Sequence, residues 1–221
     1  MSFSLILKDE LKGFYRSKVM IFLWIGLPAL ALLVHISTSN SVEGMPISLL
    51  TSMLVSSIGG LLAAVMLTVN IINEKDTRVY DLFLIRPIKR WYLLVSKFLA
   101  VYICVSIACI LAISFGIMID FFESEILLDF VMNGIIDSFV MTLSILAISS
   151  AVGILIGVIS PSIVVGVVLV IFVGNYVSSI PAMIPFIFNI DNPVTMVLVI
   201  GVIITIILMS LGIILFNKKE F

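Results

Sequence analysis

The sequence predicts an all-α membrane protein: six transmembrane helices preceded by an N-terminal amphipathic interfacial helix, with both termini cytoplasmic. Three observations predict it. Hydrophobic residues are 62% of the 221 and charged residues 11%, at a mean hydropathy of +1.35, where a soluble domain runs at about 45–50% apolar and about 25% charged. The apolar residues gather into runs long enough, at about 1.5 Å per residue, to cross a hydrocarbon core of roughly 30 Å. The twelve Lys and Arg residues fall in three places: Lys8 to Lys18, Lys75 to Lys97, and Lys218 with Lys219. Such clusters beside spans stay cytoplasmic, so an even number of spans separates each from the next. A net charge of −1 without basic excess gives no footprint for nucleic acid, and the hydrophobicity excludes a disordered chain.

Apolar runs between these anchors place spans near 19–37, 47–73, 93–119, 131–158, 161–179 and 194–216. Two precede the basic middle segment and four follow, as the charges require. Ser160-Pro161-Ser162 is a turn signal between the fourth and fifth runs. The first run is read as a retained span rather than a signal peptide, because His35-Ile36-Ser37-Thr38 lacks a small-residue cleavage pattern. Residues 1–18 thus form the interfacial segment and 19–221 the transmembrane domain.

Within residues 3–18, Phe3, Ile6, Leu7, Leu11 and Phe14 fall on one arc of a helix, and Lys8, Asp9, Lys12 and Arg16 on the opposite one. That pattern predicts an anchor at the membrane surface, whose charged face is free to meet a cytoplasmic partner. Glu10 lands inside the apolar arc and is expected to snorkel.

The stretch from Asn73 to Tyr92 carries the most information. Its first half can form a short helix that Pro87 ends, since the residue before proline is pushed out of helical geometry. Glu74, Asp76 and Asp81 come early and Arg86 to Arg90 late, as a helix dipole favours. Val79, Leu82 and Phe83 share one side. The segment is either an interfacial loop, with Trp91 and Tyr92 anchoring the next span at the headgroups, or a knob that a soluble partner grips.

An acid closing the second span, a short charged helix, a Leu-rich stretch, Arg86-Pro87, Lys89-Arg90, Trp91 and then Lys97 opening the third span resemble the permease subunit of type-2 ATP-binding cassette exporters. The resemblance covers the whole chain, because that family also has an interfacial helix, six spans and both ends inside. It implies a coupling helix at residues 75–86, seated in a cleft of a separate nucleotide-binding ATPase subunit. Glu74, Asp76, Arg78, Val79, Leu82, Phe83, Arg86 and Pro87 are then the ATPase-coupling residues. It also implies a second permease copy or paralogue as dimer partner, and second and fifth spans that line the path between them. Ser56, Thr68, Asn70, Asn175 and Tyr176 would lie near that path. The resemblance further implies a plasma-membrane location in a prokaryotic cell, and an outer hairpin at residues 180–193 that closes the exit.

The chain has no G-x-x-x-x-G-K-[ST] loop, hence no phosphate cradle of its own. It is expected to be no enzyme by itself and to bind no cofactor, with ATP and Mg handled in the partner. Catalytic and metal-binding patterns are absent: His35 is the one histidine, and no G-x-S-x-G accompanies it. Cys104 and Cys109 are five apart in one apolar run and are expected to be inert buried thiols. Asp137 is the ionisable group nearest membrane depth, either marking the outer end of the fourth span or serving transport. Gly153 and Gly157 in the fourth span, and Gly59, Gly60, Ala63 and Ala64 in the second, are spaced for close helix contact, within the chain or across a dimer.

Two other functions fit the same topology. An ATP-independent secondary carrier or channel would be expected to carry ionisable groups in mid-membrane or two related halves. A non-transporting assembly subunit would share every feature above. An apolar interior suits a lipid, hydrophobic drug or apolar peptide better than a multiply charged solute.

Overall fold

A segment in lipid must satisfy its backbone N–H and C=O groups internally, so the long apolar runs fold as helices. The computed structural model describes residues 3–38, 47–77, 90–123, 128–177, 179–180 and 193–218, and every regular element among them is helical. In chain order these are α1 (Phe3–Tyr15), α2 (Lys18–Thr38), α3 (Ile47–Asp76), α4 (Arg90–Glu123) and α5 (Leu128–Ile159). Next, α6 starts as Ile163–Leu169, passes through a π turn at Val170–Gly174 and runs on to Val177, and α7 covers Pro193–Lys218.

Among the described residues, five stretches are long and apolar enough to cross a membrane: Lys18–Ser37, Leu50–Asp76, Trp91–Phe122, Ile136–Ile159 and Val194–Lys218. The chain is an integral membrane protein built of helices. Among the described residues, the run expected to be a further span near 161–179 contains the apolar helix Ile163–Val177. From 163 to 177 it reaches about 22 Å. Its start is set by Ser162, whose extended backbone caps the helix just after Pro161.

The interfacial helix ends earlier than the pattern predicts. Ser17 accepts a hydrogen bond from the Met20 N–H through its Oγ (3.2 Å), so it caps α2 instead of extending α1. The apolar arc of α1 is not left to lipid either, for Ile6 and Phe14 are buried in the core shared with α4 and Leu11 packs against it. Phe3 meets Tyr92 at the start of α4, and Tyr15 meets Trp24 edge-on in α2. On the opposite arc, Lys8, Asp9 and Lys12 are exposed as expected.

Helix α3 is central: it packs against α2, α4, α5 and α6. Its seam with α5 is made by small residues. A Cβ on Gly153 would lie 2.5 Å from the Ala64 carbonyl oxygen, and one on Gly157 would lie 3.2 Å from the Thr68 Cα. Backbones that close also allow the Thr68 hydroxyl to donate to the Gly153 carbonyl at 2.8 Å. The Gly-x-x-x-Gly spacing therefore serves contact within the chain. Helix α7 packs on α5 and α4, while α6 rests on α3 and α5. Phe22, Ile25, Val164, Phe172 and Ile206 stay exposed, as suits side chains whose solvent is hydrocarbon.

The antiparallel pair α3 and α4 is tied at the end where α3 begins. Asp120, late in α4, accepts the Ser48 backbone N–H through Oδ2 at 2.8 Å, a carboxylate on a helix N-terminus where free N–H groups and the dipole favour it. Asp137 is exposed at the edge of the apolar stretch of α5, which begins at Ile136.

The seam predicts that Gly153→Val, which pushes a side chain into the Ala64 backbone, lowers stability by at least about 1–3 kcal/mol. Gly26→Ala, whose Cβ would meet only Phe22 at 3.8 Å, should leave it unchanged. Thermal unfolding of the two variants in detergent checks this, and equal melting would contradict the seam.

Candidate functional site

Lys97 stands seven residues into α4, about 10 Å along the helix from its start, and its side chain is 1% exposed. A desolvated ammonium is costly unless its charge is matched and all its protons are bonded. Here three donors find three acceptors: Glu74 Oε1 at 2.5 Å, Glu10 Oε1 at 2.8 Å and Asn70 Oδ1 at 3.1 Å. The Asn70 amide must turn its oxygen to Nζ, because an ammonium accepts nothing. Asn70 and Glu74 are one helical turn apart and so share a face of α3. Glu10 comes from α1, and α1, α3 and α4 therefore converge on a single cation.

This junction reverses the expectation for Glu10. The residue that breaks the apolar arc of α1 does not snorkel; it turns inward onto Lys97. Burial pushes the Glu10 carboxyl above the usual glutamate range, the neighbouring charges of Glu74 and Asp9 add to that, and the Lys97 ammonium pulls it back only in part.

The same end of α3 is tied to α5 as well. Lys75 donates to the Ser160 carbonyl just beyond α5 at 3.3 Å, placing a cation at a helix C-terminus. The Thr77 hydroxyl bonds the Asn73 carbonyl, closing the last turn of α3. Four helices are thus linked immediately before residues 78–89.

Of the residues expected to couple to an ATPase, Glu74 is in the junction and Asp76 is exposed at the end of α3. Arg78, Val79, Leu82, Phe83, Arg86 and Pro87 lie outside the described residues. Most of the hairpin expected at 180–193, namely 181–192, also lies outside them. The five residues expected along a path are not brought together. Thr68 is fully buried in the seam with α5, where its hydroxyl donates to the Gly153 carbonyl. Asn70 serves Lys97, and the Ser56 hydroxyl bonds the Met53 carbonyl within its own helix. Asn175 and Tyr176 are exposed near the far end of α6.

Sequence reasoning missed that Lys97 and Glu10 are partners. The signal was present as two anomalies, an acid on an apolar arc and a lysine inside an apolar run. Cys104 and Cys109 are buried and not bonded to each other. Among the described residues, no group of three His, Cys, Asp or Glu is placed to hold a metal.

Beside the junction is an open groove of about 580 Å³ between α1, α3 and the start of α2. Phe14, Val19, Val65, Met66 and Val69 form its apolar wall, and Glu10, Asn70 and Glu74 lie at its polar end.

Removing the ammonium strands two carboxylates, so Lys97→Met should cost about 3–5 kcal/mol. Adding Glu10→Gln and Glu74→Gln to it should recover most of that loss in thermal melts. The pH dependence of α1 docking follows from the raised Glu10 pKa. Docked Glu10 holds its proton to higher pH than undocked Glu10, whose ordinary value is 4.5. Docking is therefore strongest below that ordinary value, weakens as pH rises through the window up to the raised value, and then levels off. Hydrogen exchange of the α1 amides, corrected for intrinsic rates, should show this dependence, and Glu10→Gln should flatten it. Neither a protein-family model nor a curated protein matches the chain.

Proposed function

We propose that the chain is the transmembrane permease subunit of an ATP-binding cassette transporter, an exporter of the type-2 class, driven by a separate nucleotide-binding subunit. One observation carries this reading: the buried Lys97 junction stands at the membrane end of residues 75–86. That segment has the charge order and the Val79, Leu82, Phe83 face of a knob gripped from the cytosol. A push on it reaches α3 through Glu74 and Lys75, α4 through Lys97, α1 through Glu10 and α5 through Ser160.

In this reading Ile163–Val177 belongs to the fifth of six spans, extended by the residues that follow it, and both termini are cytoplasmic. The subunit works as a dimer with a second copy or a similar permease in a plasma membrane. ATP and Mg belong to the partner, since the sequence has no phosphate-binding loop. Alternating access arises when closure of two ATPase subunits moves the gripped segments.

Purification of the tagged chain in mild detergent from its native membrane should bring down, in fixed ratio, an ATPase with a Walker loop. Leu82→Asp with Phe83→Asp should abolish that association while leaving the chain inserted and folded. A chain that purifies alone and transports in vesicles under an ion gradient would replace this reading with a secondary carrier.

A further inference from the structure

The apolar arc of α1 is spent on the bundle, which leaves its other face to meet the surroundings. Phe3 on Tyr92 and Glu10 on Lys97 hold α1 across the first two turns of α4. That is the level at which α4 enters the membrane, and Trp91 is exposed there, where an indole suits the headgroups. The outward face of α1 carries Lys8 and Lys12 one turn apart, and Arg16 follows one turn later, just beyond the helix. All three are exposed, as is Lys18 at the head of α2. Of the two acids among residues 3–18, Asp9 is exposed beside this row and Glu10 is turned onto Lys97. Water alone would suit the cations but not their neighbours. Leu5 and Tyr15 are exposed by 54% and 60% on the same face. Directly after Lys18, Val19, Ile21 and Phe22 are each more than half exposed on a span. The row therefore needs a surface that is anionic at one depth and apolar just beneath it, which is the boundary between headgroups and acyl chains.

We infer that the outward face of α1 docks on anionic phospholipid, with Lys8, Lys12 and Arg16 against the lipid phosphates and Leu5 and Tyr15 toward the acyl chains. The long stems of the three cations lie along apolar surface while their heads reach the phosphates. A zwitterionic headgroup offers the same phosphate but brings a cation of its own against the row, so the face discriminates by charge. A soluble acidic protein would match the row but not the lipid-facing stretch of α2 that continues from it. The interfacial contact of α1 is thus made by the face opposite the one that the apolar arc predicts. This inference rests on the membrane location of the chain and not on the permease reading, because it needs no ATPase.

The test uses the purified full chain in phosphatidylcholine vesicles. The chain has two tryptophans, and Trp91→Phe leaves Trp24, which meets Tyr15 of α1 edge-on, as the one indole reporter. Phosphatidylglycerol or phosphatidylcholine brominated on the same acyl chain is added at equal mole fraction, and quenching of Trp24 gives the relative association of the two lipids. Phosphatidylglycerol should be preferred about fivefold or more, the scale of one Lys or Arg beside an anionic surface, and high salt should weaken the preference. Lys8→Gln with Lys12→Gln and Arg16→Gln should bring the ratio close to one while the variant still elutes as a single folded species. Lys8→Arg with Lys12→Arg and Arg16→Lys, which keeps the charges, should retain the preference. Equal quenching by the two lipids in the parent chain would overturn the inference and leave the row to water or to a soluble acidic partner. A preference that survives in the glutamine variant would overturn it as well, by assigning the lipid to basic residues elsewhere. Neither outcome bears on ATPase co-purification, so the two readings fail separately.

Discussion

The architecture at one end of the bundle depends on one desolvated ammonium. Lys97 is 1% exposed, and a cation taken from water at that depth persists only where its protons and charge are matched. Two separate helices must deliver acceptors to the same point on a third: Glu10 from α1, and Asn70 and Glu74 from one face of α3, toward α4. Hydrophobic burial cannot fix that register alone, because apolar contacts between spans tolerate sliding and the surrounding lipid is as apolar as the contacts themselves. The bonds to Nζ are directional, and they hold α1 at the base of α4.

The other packing constraint is steric. Gly153 and Gly157 bring α5 against α3 so closely that a methyl group has no room at Gly153. The short approach in turn lets Thr68 bond the Gly153 carbonyl across the seam. Close packing and one interhelical hydrogen bond together do what the hydrophobic effect does in water. Lys75 then joins the end of α5 to the end of α3, so the seam and the charge junction meet in the same turn of α3.

The helices were legible in the sequence because their lengths follow from membrane thickness, and the observed bounds differ from the apolar runs by only a few residues. The faces of those helices were less legible. A helix apolar on every side has no stripe to mark which side is inward, so the sequence offered only its small residues, which marked faces for close contact without pairing α3 with α5. The junction was hidden for a different reason. Glu10, Asn70, Glu74 and Lys97 meet across three elements, and no local spacing rule links residue 10 to residue 97. Each was visible singly, Glu10 as a misplaced acid and Lys97 as the last basic residue before a long apolar run. The hydroxyl of Thr68 is spent on a neighbouring backbone, as a hydroxyl within a span readily is.

The pair α3 and α4 is fastened at both ends, by Asp120 on the Ser48 N–H and by Lys97 on Glu74. The two fastenings are 26 residues apart on α3, from 48 to 74, and 23 apart on α4, from 97 to 120. At about 1.5 Å per residue the two distances are about 39 and 35 Å, close to the full thickness of the hydrocarbon core. Two parallel rods riveted at top and bottom resist shear: one cannot advance along the other by a turn without tearing both rivets. They remain free to rock together as one beam. Two contacts set that far apart hold the pair in register along nearly its whole described length.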